Sequence, residues 1–355
     1  MAYDDNVDDT VLLPKESDSS KPEPESQKKR EGLSRNFEIK NAARIVLIGG
    51  KGTGKSYLFQ SMVQRTQSHH CAGALSYYLD GNRTQLLSAK CRQDPAFRER
   101  ISSYLKEYKN YTRLKQTSLI DQAWYRLELP YKKGFFGKKT DSLNIEFYDG
   151  AGEYYESPLD ENNFGVWEDV VKSKIIVYCL PLWIIFPQDQ LSEGDKKERR
   201  EYLDAFDKIL TNYEDVRKRK KQTHSVFSIL ALTQADDNRL NKNGLAGEIK
   251  KNWIKEYLDN YQTYTEELKK PHNVLKYIKN TQKVSNLLFQ EISKSSSPEI
   301  SSIVTGLDLG KKPWIIPVSA IQGNNIDSKI EQEPHPIHVE LPLLIALCEY
   351  TNALI

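Results

Sequence analysis

Along the chain, short β-branched apolar runs alternate with longer stretches in which apolar residues recur at helical spacing. The first run, at 43–48, reads Ala-Arg-Ile-Val-Leu-Ile and predicts a buried strand. A glycine-rich turn separates it from 57–63, which continues as a helix with an apolar face. Further on, Asp94 and Pro95 pair a capping residue with a first-turn proline. Behind them Phe97, Ile101, Tyr104, Leu105 and Tyr108 keep a helical period. Two strand-like runs, 123–131 and 143–148, flank a Lys/Gly-rich turn and predict an antiparallel hairpin. Strands are also predicted over 173–180, 226–233 and 314–318, and helices over 194–221, much of 245–293, and 339–354. Strands alternating with helices predict an α/β fold, a mostly parallel sheet with helices on both faces. In such sheets ligands bind at the carboxyl ends of the strands.

Composition refines this picture in a few places. Residues 1–36 are rich in Asp, Glu, Lys, Ser and Pro and poor in apolar groups, so they are expected to form a disordered polar tail ahead of a folded part at 37–355. Net charge is +2, from 51 basic and 49 acidic residues, which gives no reason to expect nucleic acid or an anionic membrane as partner. Cys71, Cys91, Cys179 and Cys348 have neither pairing nor metal spacing, as expected of a reducing, cytoplasmic protein. The first residues carry no basic and apolar leader. The longest apolar run, 175–186, contains Pro181 and is too short to span a bilayer, so it is read as a buried strand and its exit.

The chemistry concentrates in the turn after the first strand. Gly49, Gly50, Lys51, Gly52, Thr53, Gly54, Lys55 and Ser56 match G-x-x-x-x-G-K-[ST] in full, between a strand and a helix as the motif requires. Glycines let the backbone curl so that successive N–H groups, with those of the helix start at Ser56 and Tyr57, point at phosphate oxygens. Lys55 is expected to reach the β- and γ-phosphates and Ser56 to ligate Mg²⁺. Three further groups follow at predicted strand ends. In Asp149-Gly150-Ala151-Gly152 the aspartate can hold Mg²⁺ through a water, and the Gly152 N–H can meet a γ-phosphate. In Thr233-Gln234-Ala235-Asp236 the carboxylate can accept the N1 and N2 hydrogens of guanine, a paired contact that adenine does not offer. At Ser319-Ala320 a backbone N–H can meet guanine O6.

On these four motifs, in this order, residues 40–354 resemble the P-loop GTPases of the Ras-like and translation-factor (TRAFAC) superfamily. The extended insert and the Asp-x-x-Gly-Glu motif are also similar to those of bacterial GTPases associated with conflict or signalling systems. The resemblance implies a three-layer, G-domain-like P-loop NTPase fold with helical insertions at about 67–116 and 240–300. It implies Mg²⁺-dependent binding of GTP and GDP, hydrolysis of GTP, and protein partners that read the nucleotide through mobile loops and the insertions. It also implies a threonine that closes over Mg²⁺ and the γ-phosphate. Thr117 is the candidate, with Thr112 as alternative, and Arg113 is a candidate internal arginine finger.

Two positions depart from the pattern. Glu153 follows Gly152 where many relatives carry a water-orienting glutamine, so unaided turnover is expected to be slow; alternatively Glu153 caps its loop. Lys51 stands where many carry glycine, and either obstructs an arginine finger, lends charge to the transition state, or points to solvent. The pairs His69-His70 and His335/His338 are read as surface histidines rather than metal ligands. The basic run 217–221 reads as a solvated helix end. Against the GTPase reading stand a P-loop ATPase, for which the 233–236 motif is coincidental, and a GTP-locked scaffold that hardly hydrolyses.

Overall fold

In the computed structural model, residues 42–67, 123–133, 139–186, 191–235, 237–241, 271–320 and 337–351 are described. They begin with β1 (Ala42–Ile48) and α1 (Lys55–Gln67). The hairpin β2 (Ala123–Lys133) and β3 (Lys139–Asp149) follows, antiparallel from Ala123 opposite Asp149 to Lys133 opposite Lys139. Next come α2 (Gly152–Glu156), α3 (Glu161–Val171), β4 (Ile175–Pro181), α4 (Leu182–Ile185), the long α5 (Glu193–Arg219) and β5 (Phe227–Thr233). The chain closes with α6 (Asn238–Asn241), α7 (Pro271–Ser293), α8 (Pro298–Leu307), β6 (Trp314–Pro317) and α9 (Leu341–Thr351).

The strands form one sheet in the order β2-β3-β1-β4-β5-β6, antiparallel only at β2. Every residue of β4 and β5 is buried. Successive side chains in a strand face opposite ways, so full burial requires helices over both faces. Tyr178 of β4 meets Phe206 of α5 edge-on, ring centroids 6.0 Å apart. On α5 the buried residues Leu203, Phe206, Ile209, Tyr213 and Val216 recur at three- and four-residue intervals, one face of a helix. Its start is capped by Ser192, whose hydroxyl accepts the Asp195 N–H at 3.1 Å.

Topology then places the site. β1 and β4 are neighbours, yet the chain after β1 runs to β3 on one side and the chain after β4 runs to β5 on the other. The crevice at the carboxyl ends of two such strands is the ligand position of open α/β sheets. The turn 49–56 leaves β1 at that crevice.

The predicted elements at 43–48, 123–131, 143–148, 173–180, 194–221, 226–233 and 314–318 all have counterparts. The helix predicted from Asp94 and most of the 67–116 insertion lie outside the described residues, as do 242–270. Helices α2, α3, α4, α6 and α8 are additions to the elements that the pattern predicted.

Candidate functional site

The turn between β1 and α1 is curled by two left-handed residues, Gly52 (φ +77°) and Gly54 (φ +81°), a conformation in which a side chain is strained. Thr53 between them is buried, and its hydroxyl donates to the Gly50 carbonyl at 2.9 Å. Lys55 is 6% exposed, and its Nζ donates to the carbonyls of Gly49 (2.6 Å) and Gly50 (2.9 Å). A buried ammonium inside a curled backbone, at the first turn of a thirteen-residue helix, is a cradle for an anion. Ser56 and Tyr57 are half-buried in that first turn.

The segment after β3 closes on this turn. Asp149 ends the strand level with Leu47 of β1; its side chain is outside the described set. Gly152 lies against the turn so closely that a Cβ there would sit 2.5 Å from the Lys51 N and 2.7 Å from the Gly50 C. The Glu156 carboxylate accepts the Lys51 N–H. Lys51 Nζ lies 3.9 Å from Glu153 Oε1, with side chains 63% and 38% exposed. From α5, Asn212 donates to the carbonyls of Tyr155 (3.2 Å) and Ser157 (2.9 Å). Thus α2 is held at both ends.

The end of β5 reaches the same turn from the other side. Thr233 is buried and its hydroxyl donates to the Thr53 carbonyl at 2.6 Å. Gln234, at φ +54°, donates from Nε2 to the Gly52 carbonyl at 3.0 Å. The Ala235 N–H reaches the Val318 carbonyl (3.2 Å), tying this loop to the exit of β6. Ser319 is buried and exchanges both backbone hydrogen bonds with Ile337 (3.0 and 2.7 Å), and the Ala320 carbonyl accepts from Ser61 of α1 at 3.2 Å.

Beside Gly52 stands a group that the sequence pattern did not single out. A Cβ on Gly52 would meet the Tyr202 hydroxyl at 2.6 Å. Burial pushes that hydroxyl up to about 12, with the Glu198 charge adding to it. Tyr202 meets Trp183 edge-on at 6.3 Å, and the Arg239 guanidinium lies over the Trp183 ring at 3.7 Å. Arg239 also donates to both Asp237 oxygens (2.7–3.1 Å) and to Glu198 at 2.9 Å. The Asp237 carboxylate is therefore committed to an ion pair. Asp236 beside it lies outside the described residues, as do Thr117, Thr112 and Arg113.

The structure thus brings Lys55, Gly152, Glu153, Lys51, Thr233, Gln234, Ser319 and Ala320 to one turn or its immediate supports. Glu156, Asn212 and Tyr202 were missed. Each acts across a large sequence separation, and only the inward spacing of α5 hinted at the latter two. Arg217 in the basic run is not simply solvated: it donates to the His224 carbonyl at 2.7 Å, while Lys220 pairs with Glu168 and lies 5.3 Å over the Phe164 ring.

One reading is corrected. His338 is not a surface histidine; it is fully buried, its Nδ1 2.6 Å from the Tyr277 hydroxyl, which donates to Glu340 at 2.8 Å. The pairing of Ile337 with Ser319 and a left-handed turn at His338 (φ +57°) draw the ring inward.

Among the described residues no group of three or more His, Cys, Asp or Glu is gathered for a metal. The Ser56 hydroxyl beside the cradle is a hard oxygen donor, the kind Mg²⁺ takes when phosphate oxygens and water complete its shell.

Sheet order, helices on both faces and a P-loop at the switch point make this a three-layer, G-domain-like P-loop NTPase fold. No family model and no curated protein matches the chain. Among solved structures, the chain is similar to one titled "Signal recognition particle receptor SRb-GTP/SRX complex from Chaetomium thermophilum", with 10% identity, 81% of this chain and 94% of that chain covered, and a TM-score of 0.34. Among the described residues, no helix is long and apolar enough to cross a membrane.

Proposed function

We propose that the chain binds GTP with Mg²⁺ in the turn 49–56, hydrolyses it slowly to GDP and phosphate, and presents different surfaces to a protein partner in the two states. The observation that carries this reading is the convergence of two distant segments, the exits of β3 and β5, on one short loop. Gly152 lies against Gly50 and Lys51, Thr233 holds the Thr53 carbonyl, and Gln234 holds the Gly52 carbonyl.

In this reading the curled N–H groups and Lys55 hold the β- and γ-phosphates and stabilise the charge that spreads over the transferring phosphoryl group. The water oxygen bonds to the γ-phosphorus, the bond to the β–γ bridging oxygen breaks with its electron pair staying on GDP, and both water protons leave on the phosphate product. Ser56 would hold Mg²⁺, with Asp149 and Thr117 as further candidates, and the ion would neutralise phosphate charge. Gly152 and Thr117 sense the γ-phosphate. Asp236, the carboxylate of the 233–236 motif, accepts the N1 and N2 hydrogens of guanine. The Ser319 N–H is taken by Ile337, so the contact to guanine O6 falls to Ala320. The partner is read through α2 and the insertions, and the compartment is cytoplasmic.

A second reading, a GTP-locked scaffold, is favoured by the two carboxylates of α2, Glu153 and Glu156, at the mouth of the loop. Single-turnover hydrolysis of γ-labelled GTP separates the two. Phosphate release that requires Mg²⁺ and falls by about a hundredfold or more in Lys55→Met supports the enzyme. Tight GTP binding with no release in the wild-type chain supports the scaffold.

A further inference from the structure

The two departures from the P-loop GTPase pattern face each other in space. Two contacts seat α2 on the loop, the backbone abutment of Gly152 and the Lys51 N–H given to Glu156, and the amide of Asn212 beneath Tyr155 and Ser157 ties it to α5. With Gly152 against the Gly50–Lys51 peptide, the next side chain along, Glu153, emerges beside Lys51, and the two charges stand 3.9 Å apart. Both are substantially exposed, so the pair adds little to folding stability. What it changes is the charge at the mouth of the cradle. A bare carboxylate there repels a γ-phosphate and holds an attacking water poorly. A carboxylate whose charge is offset by an adjacent ammonium can accept a hydrogen from that water without the same repulsion.

We propose that Lys51 is a positioning residue for Glu153: its ammonium offsets and orients the carboxylate, which in turn orients the water that bonds to the γ-phosphorus as the bridging oxygen leaves. This rests on the GTPase reading above. Lys51 acts through Glu153 rather than on the phosphate, and that distinction is measurable. A neutral amide at 153 has no charge to offset, so it should make Lys51 dispensable.

The test is a double-mutant cycle on the full chain: wild type, Lys51→Ala, Glu153→Gln and the double variant, with Lys51→Arg alongside. Single-turnover GTP hydrolysis and affinity for a fluorescent GTP analogue are read for each. Lys51→Ala should slow hydrolysis roughly tenfold or more, a loss exceeding any loss of affinity, and Lys51→Arg should retain most of the rate. The double variant should recover most of what Lys51→Ala lost. An equal loss in the single and double variants, or no loss in Lys51→Ala, overturns the proposal. Wild-type chain that binds the analogue without turnover overturns the pairing role and leaves nucleotide binding standing. Chain that binds no guanine nucleotide overturns both.

Discussion

A backbone position can be decisive for reasons visible only in three dimensions, and two glycines of neighbouring helices show the contrast. At Gly152 any Cβ would press on the Gly50–Lys51 backbone at 2.5–2.9 Å, and backbone cannot swing aside as a side-chain tip can. Gly152→Ala should therefore destabilise the fold by about 1–3 kcal/mol, read as a lower urea midpoint. Gly165, exposed in α3, has nothing within 4 Å of a built Cβ. Gly165→Ala should raise stability by about 0.5–1 kcal/mol, since it removes unfolded-state entropy without strain. The sequence made Gly152 legible as part of a motif, but not what it touches. The GTPase resemblance also marked Lys51 and Glu153 as departures without saying that they meet, because they lie on segments joined through the insertion and the hairpin. His338 was misread for a similar reason: a histidine in a proline-containing stretch reads as surface until Tyr277 and Glu340 are found around it.

At the scale of elements, the short α2 has few means of its own to persist. It is five residues long, starts at Ala151 without a side-chain cap, and has no basic residue in its last turn. Its position depends on Asn212, a buried amide on an otherwise apolar face of α5. Replacing Asn212 by Leu leaves the carbonyls of Tyr155 and Ser157 without that donor, at a cost of about 1–3 kcal/mol. Amide exchange in 152–157 should quicken in the variant while β4 and β5 keep their protection. Strands were the most legible elements because β-branched apolar runs bounded by polar turns have few other interpretations. Helix α8 was legible in principle: Pro298 at its start and Ile300, Ile303, Val304 and Leu307 follow the helical template. Helix α3 was legible in the same way, with Phe164, Trp167 and Val171 at helical spacing, whereas the five-residue α2 is too short to show a period and is held by tertiary contacts.

For the whole molecule, burial of tyrosines sets the response to alkali. Tyr202 and Tyr213 are each pushed up to about 12, chiefly by burial, and burial drives Tyr178 well above its ordinary value. In the unfolded chain these phenols ionise near 10, so the folded state binds their protons more tightly. Their contribution is complete below about pH 10 and is lost as pH rises through about 12. Urea unfolding should show this decline in that window, and absorbance at 295 nm should show a class of tyrosines that ionises only as the protein unfolds. The order of strands follows from no local pattern, yet it decides where the site lies, since the switch point beside β1 exists only once β3 and β4 flank it. In the proposed function, Asp236 selects a guanine nucleotide bound at this switch point. Competition of GTP and ATP for a fluorescent GDP analogue, in wild type and Asp236→Ala, tests it most directly. Wild type should show strong GTP preference, and the preference should collapse in the variant. Equal or better competition by ATP, or a preference indifferent to Asp236, would contradict it and leave a P-loop ATPase.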